Sequence, residues 1–244
     1  MNLLRKIYLI FFAAPIFIII TFLTAVTTIV ATAVGGNRFW GYWPAHIWSR
    51  IVCFLAGVKV EVRGRENIDK TTSYIFVSNH QGAFDIWAIY GYLNHNFKWL
   101  MKKSLEKIIF VGYACKRSGH VFVDSNSLQS IKETINTARS RLKNGMSLVI
   151  FPEGTRTKTG EIGDFKRGAF MLAGEFRLPV VPISIQGAFD IMPRNSYFPR
   201  TGKIILTIHK PIEPGEKGFN TRALMEECHT TIKGDLTVVH QSTE

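Results

Sequence analysis

Two short polar blocks carry the residue types best suited to catalysis in this sequence of 244 residues. In the first block, His80 follows a short β-rich run and Asp85 comes five residues later. A histidine at the end of a strand suits general base catalysis, because its unperturbed pKa is about 6.5. If the intervening turn folds back, the Asp85 carboxylate orients the imidazole and stabilises the imidazolium. A structural role for both residues is the alternative. A metal site is not expected, because no nearby His or Cys completes one.

The second block directly follows an apolar run and has the sequence Pro152-Glu153-Gly154-Thr155-Arg156. Gly154 permits close approach of the backbone, and Arg156 offers a bidentate fork for a phosphate group. Further positive charge comes from nearby side chains, namely Lys158, Lys166 and Arg167. The block therefore indicates an anion site after a strand, with a solvated basic loop as the alternative.

Strands alternate with helices along the part of the chain that must position these blocks. Apolar or β-branched runs predict strands at 74–77, 98–101, 120–124, 147–151, 180–185 and 203–208. Helices are predicted at 85–93, at 104–113 with Ser104 as N-cap, at 128–142 ending before Gly145, at 168–176 and at 221–232. Because some strands are apolar throughout, we expect a mixed, largely parallel sheet flanked by helices. Ligands of such folds bind at the carboxyl ends of the strands.

The composition excludes several classes of protein. A hydrophobic fraction of 46% and a charged fraction of 20% exclude a disordered chain and a coiled coil. Three cysteines without a CxxC pair exclude a disulfide scaffold. The formal net charge of +12 indicates affinity for an acidic partner, such as nucleic acid, an anionic membrane surface or a phosphorylated molecule.

The N-terminal part is apolar and basic, since no acidic residue precedes Glu61 and residues 7–34 carry no charge. A helix over these residues spans about 42 Å, against roughly 30 Å of bilayer hydrocarbon. The segment predicts a retained membrane anchor: a tilted span, a helix kinked at Pro15, or a re-entrant helix. A cleaved signal peptide, with its cleavage site at 31–33, is one alternative. A buried core helix is the other.

An amphipathic helix is predicted next, within residues 39–58. Its apolar stripe recurs every four positions, at Trp43, Ile47, Ile51 and Leu55. Aromatic and basic residues beside an apolar helix are typical of the headgroup zone of a membrane. The alternative is a first core helix of the globular part. We therefore divide the chain into membrane-anchoring helices at 1–58 and an α/β domain at 59–244.

Three blocks in order resemble the glycerolipid acyltransferase family. They are His80-x4-Asp85 preceded by Asn79, then Phe151-Pro152-Glu153-Gly154-Thr155-Arg156, then Val181-Pro182-Ile183. Segments at 102–105 and 165–169 are also similar to the family, so the resemblance covers residues 74–186. It is closest to membrane-bound 1-acylglycerol-3-phosphate acyltransferases.

The resemblance implies acyl transfer from a thioester to the free hydroxyl of a lysophospholipid, giving phosphatidic acid in phospholipid biosynthesis. It implies that His80 is the general base and Asp85 its orienter. The implied acceptor site contains Asn79, Glu153, Gly154, Thr155, Arg156, Lys102, Lys116 and Lys166. No metal or cofactor is implied, and the donor is acyl-coenzyme A or acyl-acyl carrier protein. A thioester is already activated, so the enzyme must remove the acceptor proton and stabilise the oxyanion.

One block departs from the family pattern. The run 119–124 resembles a family segment that often ends in Arg, but Ser125 follows it here. Lys102, Lys116 or Arg117 could replace the missing phosphate ligand. A different acceptor, such as an acylated amino-acid lipid, is the alternative.

Two other classes of function compete with the acyltransferase. A lipid-ester hydrolase needs a nucleophile, but the sequence has no GxSxG and Ser78 is a poor substitute. A non-catalytic module on an anionic membrane leaves His80 and Asp85 without a role, and no nucleic acid partner is expected. A cytosolic donor and the basic residues Arg38, Arg50 and Lys59 place the domain on the cytoplasmic face of the inner (cell) membrane.

Overall fold

The computed structural model describes residues 2–123, 128–142, 145–213 and 220–241. Its α-helices are α1 (Leu3–Tyr8), α2 (Ala14–Gly35), α3 (Trp43–Ala56), α4 (Phe84–Tyr92), α5 (Val111–Arg117), α6 (Leu128–Arg141), α7 (Gly168–Phe176), α8 (Ala188–Ile191) and α9 (Thr221–Gln241). Its strands are β1 (Val58–Arg63), β2 (Ile75–Ser78), β3 (Phe97–Lys102), β4 (Val121–Val123), β5 (Ser147–Ile150), β6 (Val180–Gln186) and β7 (Gly202–Ile208). A π-helical segment, Leu9–Ala13, joins α1 to α2.

The strands form one mixed sheet in the order β1-β7-β6-β2-β5-β3-β4. Strands β6, β2, β5, β3 and β4 run parallel to one another, β7 is antiparallel to β6, and β1 is parallel to β7. Every residue of β2, β5 and β6 is buried, as expected for central strands covered on both faces. The predicted mixed, largely parallel sheet flanked by helices is therefore confirmed.

Alternate residues of the central strands build two cores, one on each face of the sheet. On one face, Phe76 and Ile183 pack with residues of α3 and α4. On the other face, Ile75 and Leu148 pack with residues of α7 and α9, including Phe170. Both cores consist of fully buried side chains, so the strand ends that carry the two polar blocks are held rigidly.

Two elements differ from the sequence-based expectation. The single helix predicted at 104–113 is wrong: the chain forms a 3₁₀ helix, Lys103–Lys107, and then the separate helix α5. Phe110 has a φ of 59°, and this left-handed conformation breaks the continuous helix. Strand β1 was not predicted, although its sequence Val-Lys-Val-Glu-Val-Arg alternates as a half-buried strand does.

Helix α3 turns its apolar stripe outward. Trp43, Ile47 and Ile51 are 37%, 56% and 36% exposed, whereas Ser49 and Cys53 on the opposite face are fully buried. That buried face packs against α4. The division of the chain at residue 58 stays a prediction, and α3 contributes to the core of the sheet.

The continuous helical stretch Leu3–Gly35 is long and apolar enough to cross a membrane by length and composition. It contacts the globular part along its length. The Arg5 guanidinium donates to the carbonyl oxygen of Ala56 at 2.8 Å, and the Phe17 ring lies 6.1 Å from the Trp48 ring. Its other faces expose large apolar side chains, among them Leu4, Phe11, Ile18, Leu23, Val30 and Val34.

Candidate active site

The two polar blocks meet at one edge of the sheet, because the strands that precede them are parallel neighbours. Strand β2 ends at Ser78 and pairs with β5, which ends at Ile150. The loop 79–83 after β2 therefore lies beside the loop 151–167 after β5. This edge is the expected ligand site of a parallel sheet.

His80 and Asp85 form a hydrogen-bonded pair. The turn between them folds back, and His80 Nδ1 lies 2.7 Å from Asp85 Oδ2. The same oxygen accepts hydrogen bonds from the backbone N–H groups of Gln81 at 2.6 Å and Gly82 at 2.8 Å. Three donors on one buried oxygen fix the position of the carboxylate.

The other ring nitrogen of His80 is free to meet a substrate. With Nδ1 donating to the carboxylate, Nε2 is the unprotonated nitrogen of the neutral imidazole. Nε2 has no hydrogen-bond partner within the described residues, and the His80 side chain remains 14% exposed. The geometry therefore leaves one lone pair at the surface, oriented by a buried carboxylate, which is the arrangement of a general base.

Aromatic stacking fixes the plane of the His80 ring. The Phe151 ring lies parallel to it, with centroids 4.0 Å apart and an interplanar angle of 8°. The Trp99 ring in turn stacks on Phe151 at 5.3 Å. Neither ring was predicted to have a role, and the only signal in the sequence is that Phe151 follows one strand while Trp99 lies within its neighbour.

Glu153 links the two loops through its carboxylate. Oε1 accepts the backbone N–H of His80 at 2.7 Å, and Oε2 accepts the backbone N–H of Gly163 at 2.9 Å. The side chain is buried, and this burial raises the pKa of Glu153, while the two backbone donors oppose the rise. Both carboxylate oxygens of Glu153 therefore accept hydrogen bonds from the protein's own backbone.

Asn79 is also engaged within the protein. Its side-chain amide donates to the carbonyl oxygen of Ile185 at 2.9 Å and accepts the N–H of the same residue at 2.8 Å. Asn79 is fully buried. These two hydrogen bonds join the end of β2 to β6 and so fix the backbone position of the next residue, His80.

The remaining residues predicted for the second block lie nearer to solvent. Gly154 has a φ of 72°, and a Cβ atom there would lie 2.8 Å from Lys166 Nζ. The Thr155 hydroxyl accepts a hydrogen bond from Arg194 Nη1 at 3.1 Å. Arg156 is half-exposed, and its guanidinium forms no hydrogen bond or ion pair within the described parts of the chain. Its guanidinium is therefore available to an anion.

Two predicted lysines come from the chain segment after β3. Lys102 is exposed at the end of that strand, at the same edge of the sheet as His80. Lys116, on α5, forms an ion pair with Glu106 at 2.9 Å, which raises the pKa of the lysine. Ser125, where the sequence departs from the family pattern, lies outside the described residues.

Comparison with known proteins shows the family of the chain. The family model described as Acyltransferase matches residues 59–186, just over half of the chain. The chain belongs to the acyltransferase family. A 1-acyl-sn-glycerol-3-phosphate acyltransferase of Helicobacter pylori is 33% identical over 165 residues, which cover 65% of this chain and 68% of that protein. The chloroplastic enzyme of the same name from Arabidopsis thaliana is 33% identical over 80% of this chain.

The chain spans less than two thirds of several relatives that it matches. It covers 54% of the Arabidopsis protein, and 64% of the Saccharomyces cerevisiae protein, to which it is 32% identical. A solved structure is similar over nearly the whole chain: the 1-acyl-sn-glycerophosphate acyltransferase PlsC from Thermotoga maritima has a TM-score of 0.79 and 26% identity. The similarity covers 98% of this chain and 96% of that one, so this acyltransferase-family chain shares its fold.

Serines of this acyltransferase-family chain do not form a hydrolase triad at the described sites. Ser78 is fully buried, and its hydroxyl donates to the carbonyl oxygen of Asn79. A second cluster contains Ser184, His209 and Asp235, but both partners approach the same nitrogen, His209 Nε2, at 2.7 and 3.7 Å. A triad needs the serine and the aspartate on different ring nitrogens.

Proposed function

We propose that this chain transfers an acyl group from an acyl thioester to the free hydroxyl of 1-acylglycerol-3-phosphate, forming phosphatidic acid. The observation that carries the proposal is the His80–Asp85 pair, with Nε2 free, beside a loop that presents an unpaired Arg156. The names of the relatives and of the similar structure support this substrate. The proposal includes coenzyme A or acyl carrier protein as the carrier of the donor.

His80 Nε2 removes the proton of the acceptor hydroxyl as its oxygen attacks the thioester carbonyl carbon. The Asp85 carboxylate, held by two backbone N–H groups, stabilises the imidazolium that results. The tetrahedral intermediate collapses, the C–S bond breaks, and the proton leaves with the thiol of the carrier. A new ester C–O bond replaces the thioester, so no covalent enzyme intermediate is required.

Arg156 binds the acceptor phosphate in this proposal, because a guanidinium matches phosphate oxygens in a bidentate manner. Lys102 and Lys166 add positive charge at the same edge. Asn79 and Glu153, which were predicted to bind substrate, act instead as positioning residues, because their polar atoms are engaged by backbone groups.

The proposed location is the membrane, with the globular part on the cytoplasmic face. Exposed apolar side chains on α2 and on the outer face of α3 support a lipid environment. The donor carriers are soluble, so the active-site edge must be reachable from the cytosol. The partners are therefore the thioester donor, the lysophospholipid acceptor and an anionic membrane surface.

An acceptor screen tests the function. Purified full-length protein is incubated with radiolabelled acyl-coenzyme A or acyl-acyl carrier protein and with 1-acylglycerol-3-phosphate, monoacylglycerol or an acylated amino-acid lipid. We expect label in phosphatidic acid and at least tenfold less transfer to the acceptors without phosphate. Transfer to the acylated amino-acid lipid alone would show that this lipid, and not 1-acylglycerol-3-phosphate, is the acceptor. Ester hydrolysis without transfer would contradict the acyltransferase proposal.

A further inference from the structure

The chain from the residues after β3 into the first turn of α5 exposes an apolar surface that the active site does not use. Five large side chains within nine residues are exposed: Leu105 by 43%, Ile108 by 48%, Ile109 by 80%, Phe110 by 54% and Tyr113 by 53%. We call residues 105–113 the apolar segment. Isolated exposed apolar side chains are common on proteins, but a contiguous group marks an interaction surface.

Three exposed lysines accompany the apolar segment. Lys102 and Lys103 precede it, and Lys107 lies within it. Apolar side chains next to a cluster of basic ones are complementary to a bilayer with anionic headgroups: the apolar groups enter the acyl region while the ammonium groups stay among the phosphates.

The apolar segment is continuous with the exposed apolar side of the N-terminal helix. The rings of Phe110 and Phe22 meet edge to face, with centroids 5.5 Å apart. Helix α5, whose first turn belongs to the segment, packs against α2. A membrane that contacts the outer side of α2 therefore also reaches the segment.

The apolar segment also lies beside the active-site edge. Trp99 of β3 is in register with Val149 of β5, which is in register with Phe76 of β2. Strands β3 and β2 run in the same direction, so the chain leaves β3 at Lys102 on the edge that holds His80. A bilayer on this segment would therefore present lipid headgroups near the catalytic histidine.

We propose that the apolar segment inserts into an anionic lipid bilayer as a second membrane contact, separate from the N-terminal helix, with Lys103 and Lys107 at the headgroups. The proposal rests on the proposed membrane location of α2. It commits to lipid as the occupant, because the lysines match anionic headgroups and the surface continues that of α2. A second copy of this chain would carry the same positive charge on the same surface.

Fluorescence quenching in vesicles tests the insertion. Single cysteines are placed in the full chain as Ile109→Cys, as Leu105→Cys and, on α2, as Ile19→Cys, and each is labelled with a polarity-sensitive fluorophore. Met171→Cys, an exposed apolar position on α7, is the matched control. The unsubstituted chain, labelled in the same way, gives the background from Cys115. The vesicles contain phosphatidylcholine and phosphatidylglycerol, with or without nitroxide-labelled acyl chains.

We expect nitroxide lipids to quench the fluorophores at 109, 105 and 19 at least threefold more than the fluorophore at 171. Quenching at 19 without quenching at 109 or 105 would overturn the inference and leave the membrane location of α2 intact. No quenching at 19 would overturn both proposals. A blue shift at 109 that depends on protein concentration and not on nitroxide lipid would assign the segment to a second copy of the chain.

A charge test addresses the lysines. The double variant Lys103→Gln/Lys107→Gln is compared with the control Lys158→Gln/Lys233→Gln, each carrying the fluorophore at position 109. Each basic residue near an anionic surface contributes about fivefold to binding. We therefore expect quenching at 109 to fall in anionic vesicles at low salt for the first variant only. Unchanged quenching would overturn the assignment of these lysines to the headgroups.

Discussion

His80 has one ring nitrogen committed to Asp85 and the other free, so its loss removes the proposed base. We expect His80→Ala to lower the acyl-transfer rate by about 10²–10⁴-fold in a protein that still folds. Asp85→Asn should lose most activity as well, because the amide no longer stabilises an imidazolium. Initial rates with labelled thioester measure both variants.

The matched control for His80 is His229→Ala, which removes a half-buried histidine of α9 that packs edge to face on Phe165. It should keep near-normal turnover. A folded His80→Ala protein with wild-type turnover would contradict the general base mechanism.

The Arg156 guanidinium has no hydrogen-bond or ion-pair partner within the described structure. If it binds the acceptor phosphate, Arg156→Ala should raise the KM for the acceptor about 10- to 100-fold, the cost of a charged hydrogen bond. Arg156→Lys should restore little, because a lysine lacks the planar fork. Lys158→Ala, an exposed position on the same loop, is the control. An unchanged acceptor KM in Arg156→Ala would show that another side chain binds the phosphate.

Residue types and their spacing were enough to predict the pairing of His80 with Asp85 and the position of Arg156 at a strand end. They were not enough for Glu153. Its partners are the backbone N–H groups of His80 and Gly163, and every non-proline residue has an N–H group. Only the folded loops show which of these groups meet the carboxylate, so the family resemblance implied a substrate-binding role for Glu153.

At the scale of elements, the loop after β5 is held against the loop after β2 by a short set of hydrogen bonds. The Glu153 carboxylate accepts one from the backbone N–H of His80, and Thr157 N–H donates to the carbonyl oxygen of His80 at 2.9 Å. The Gln81 side chain adds a bond to the carbonyl oxygen of Gly160 at 2.9 Å. The position of the base therefore depends on a loop from another strand.

Glu153→Gln tests this dependence. A glutamine has one carbonyl oxygen, so one of the two buried N–H donors loses its acceptor and faces an NH₂ group instead. We expect a loss of about 1–3 kcal/mol in stability and a lower kcat with little change in acceptor KM. Thermal unfolding and steady-state kinetics measure the two effects. Glu161→Gln, exposed on the same loop, is the control, and equal behaviour of the two variants would contradict the positioning role.

Buried histidines make the packing between elements sensitive to acid. His95 precedes β3 and lies 2.8 Å from the Ser147 hydroxyl at the start of β5. Burial lowers the pKa of His95 to about 4. The unfolded chain therefore binds the proton more tightly, so stability is lost as the pH falls from about 6.5 towards 4. The full difference is worth at most roughly 3 kcal/mol.

We expect His95→Gln to reduce the drop in thermal midpoint between pH 7 and pH 4.5. His46 and His120 also have pKa values lowered by burial, but they remain in the variant, so the difference isolates His95. An identical drop in both proteins would contradict the contribution of His95.

Secondary structure was predicted correctly where a local sequence pattern determines it, and wrongly where it depends on the rest of the fold. Runs of β-branched and apolar residues in β2, β5 and β6 predict buried strands, and these strands are buried in the core. The helix predicted at 104–113 is interrupted at Phe110 by a backbone conformation that the sequence of this segment does not reveal. Likewise, the outward apolar stripe of α3 was visible in the sequence, but a fold is needed to show that the opposite face is the buried one.

At the scale of the whole molecule, both ends of the N-terminal helix are attached to the globular part. Arg5 donates to the carbonyl oxygens of Ala56 and Pro199 near the start of the helix. Just beyond its end, the buried Lys98 ammonium donates to the carbonyl oxygen of Asn37 at 3.1 Å. A helix of 33 residues is about 50 Å long, which exceeds the roughly 30 Å of bilayer hydrocarbon. Because the domain is attached at both ends of the helix, a helix that crossed the bilayer would place part of the domain in the hydrocarbon.

We therefore expect both helix ends to lie on the same side of the membrane as the domain. Leu4→Cys and Val34→Cys, at exposed positions near the two ends, are treated with a membrane-impermeant maleimide in sealed vesicles of each orientation. Lys233→Cys, exposed on α9, marks the side of the domain, and the unsubstituted chain gives the background. All three cysteines should react in the same orientation. Reaction of Leu4→Cys only in the opposite orientation would instead establish a helix that spans the bilayer.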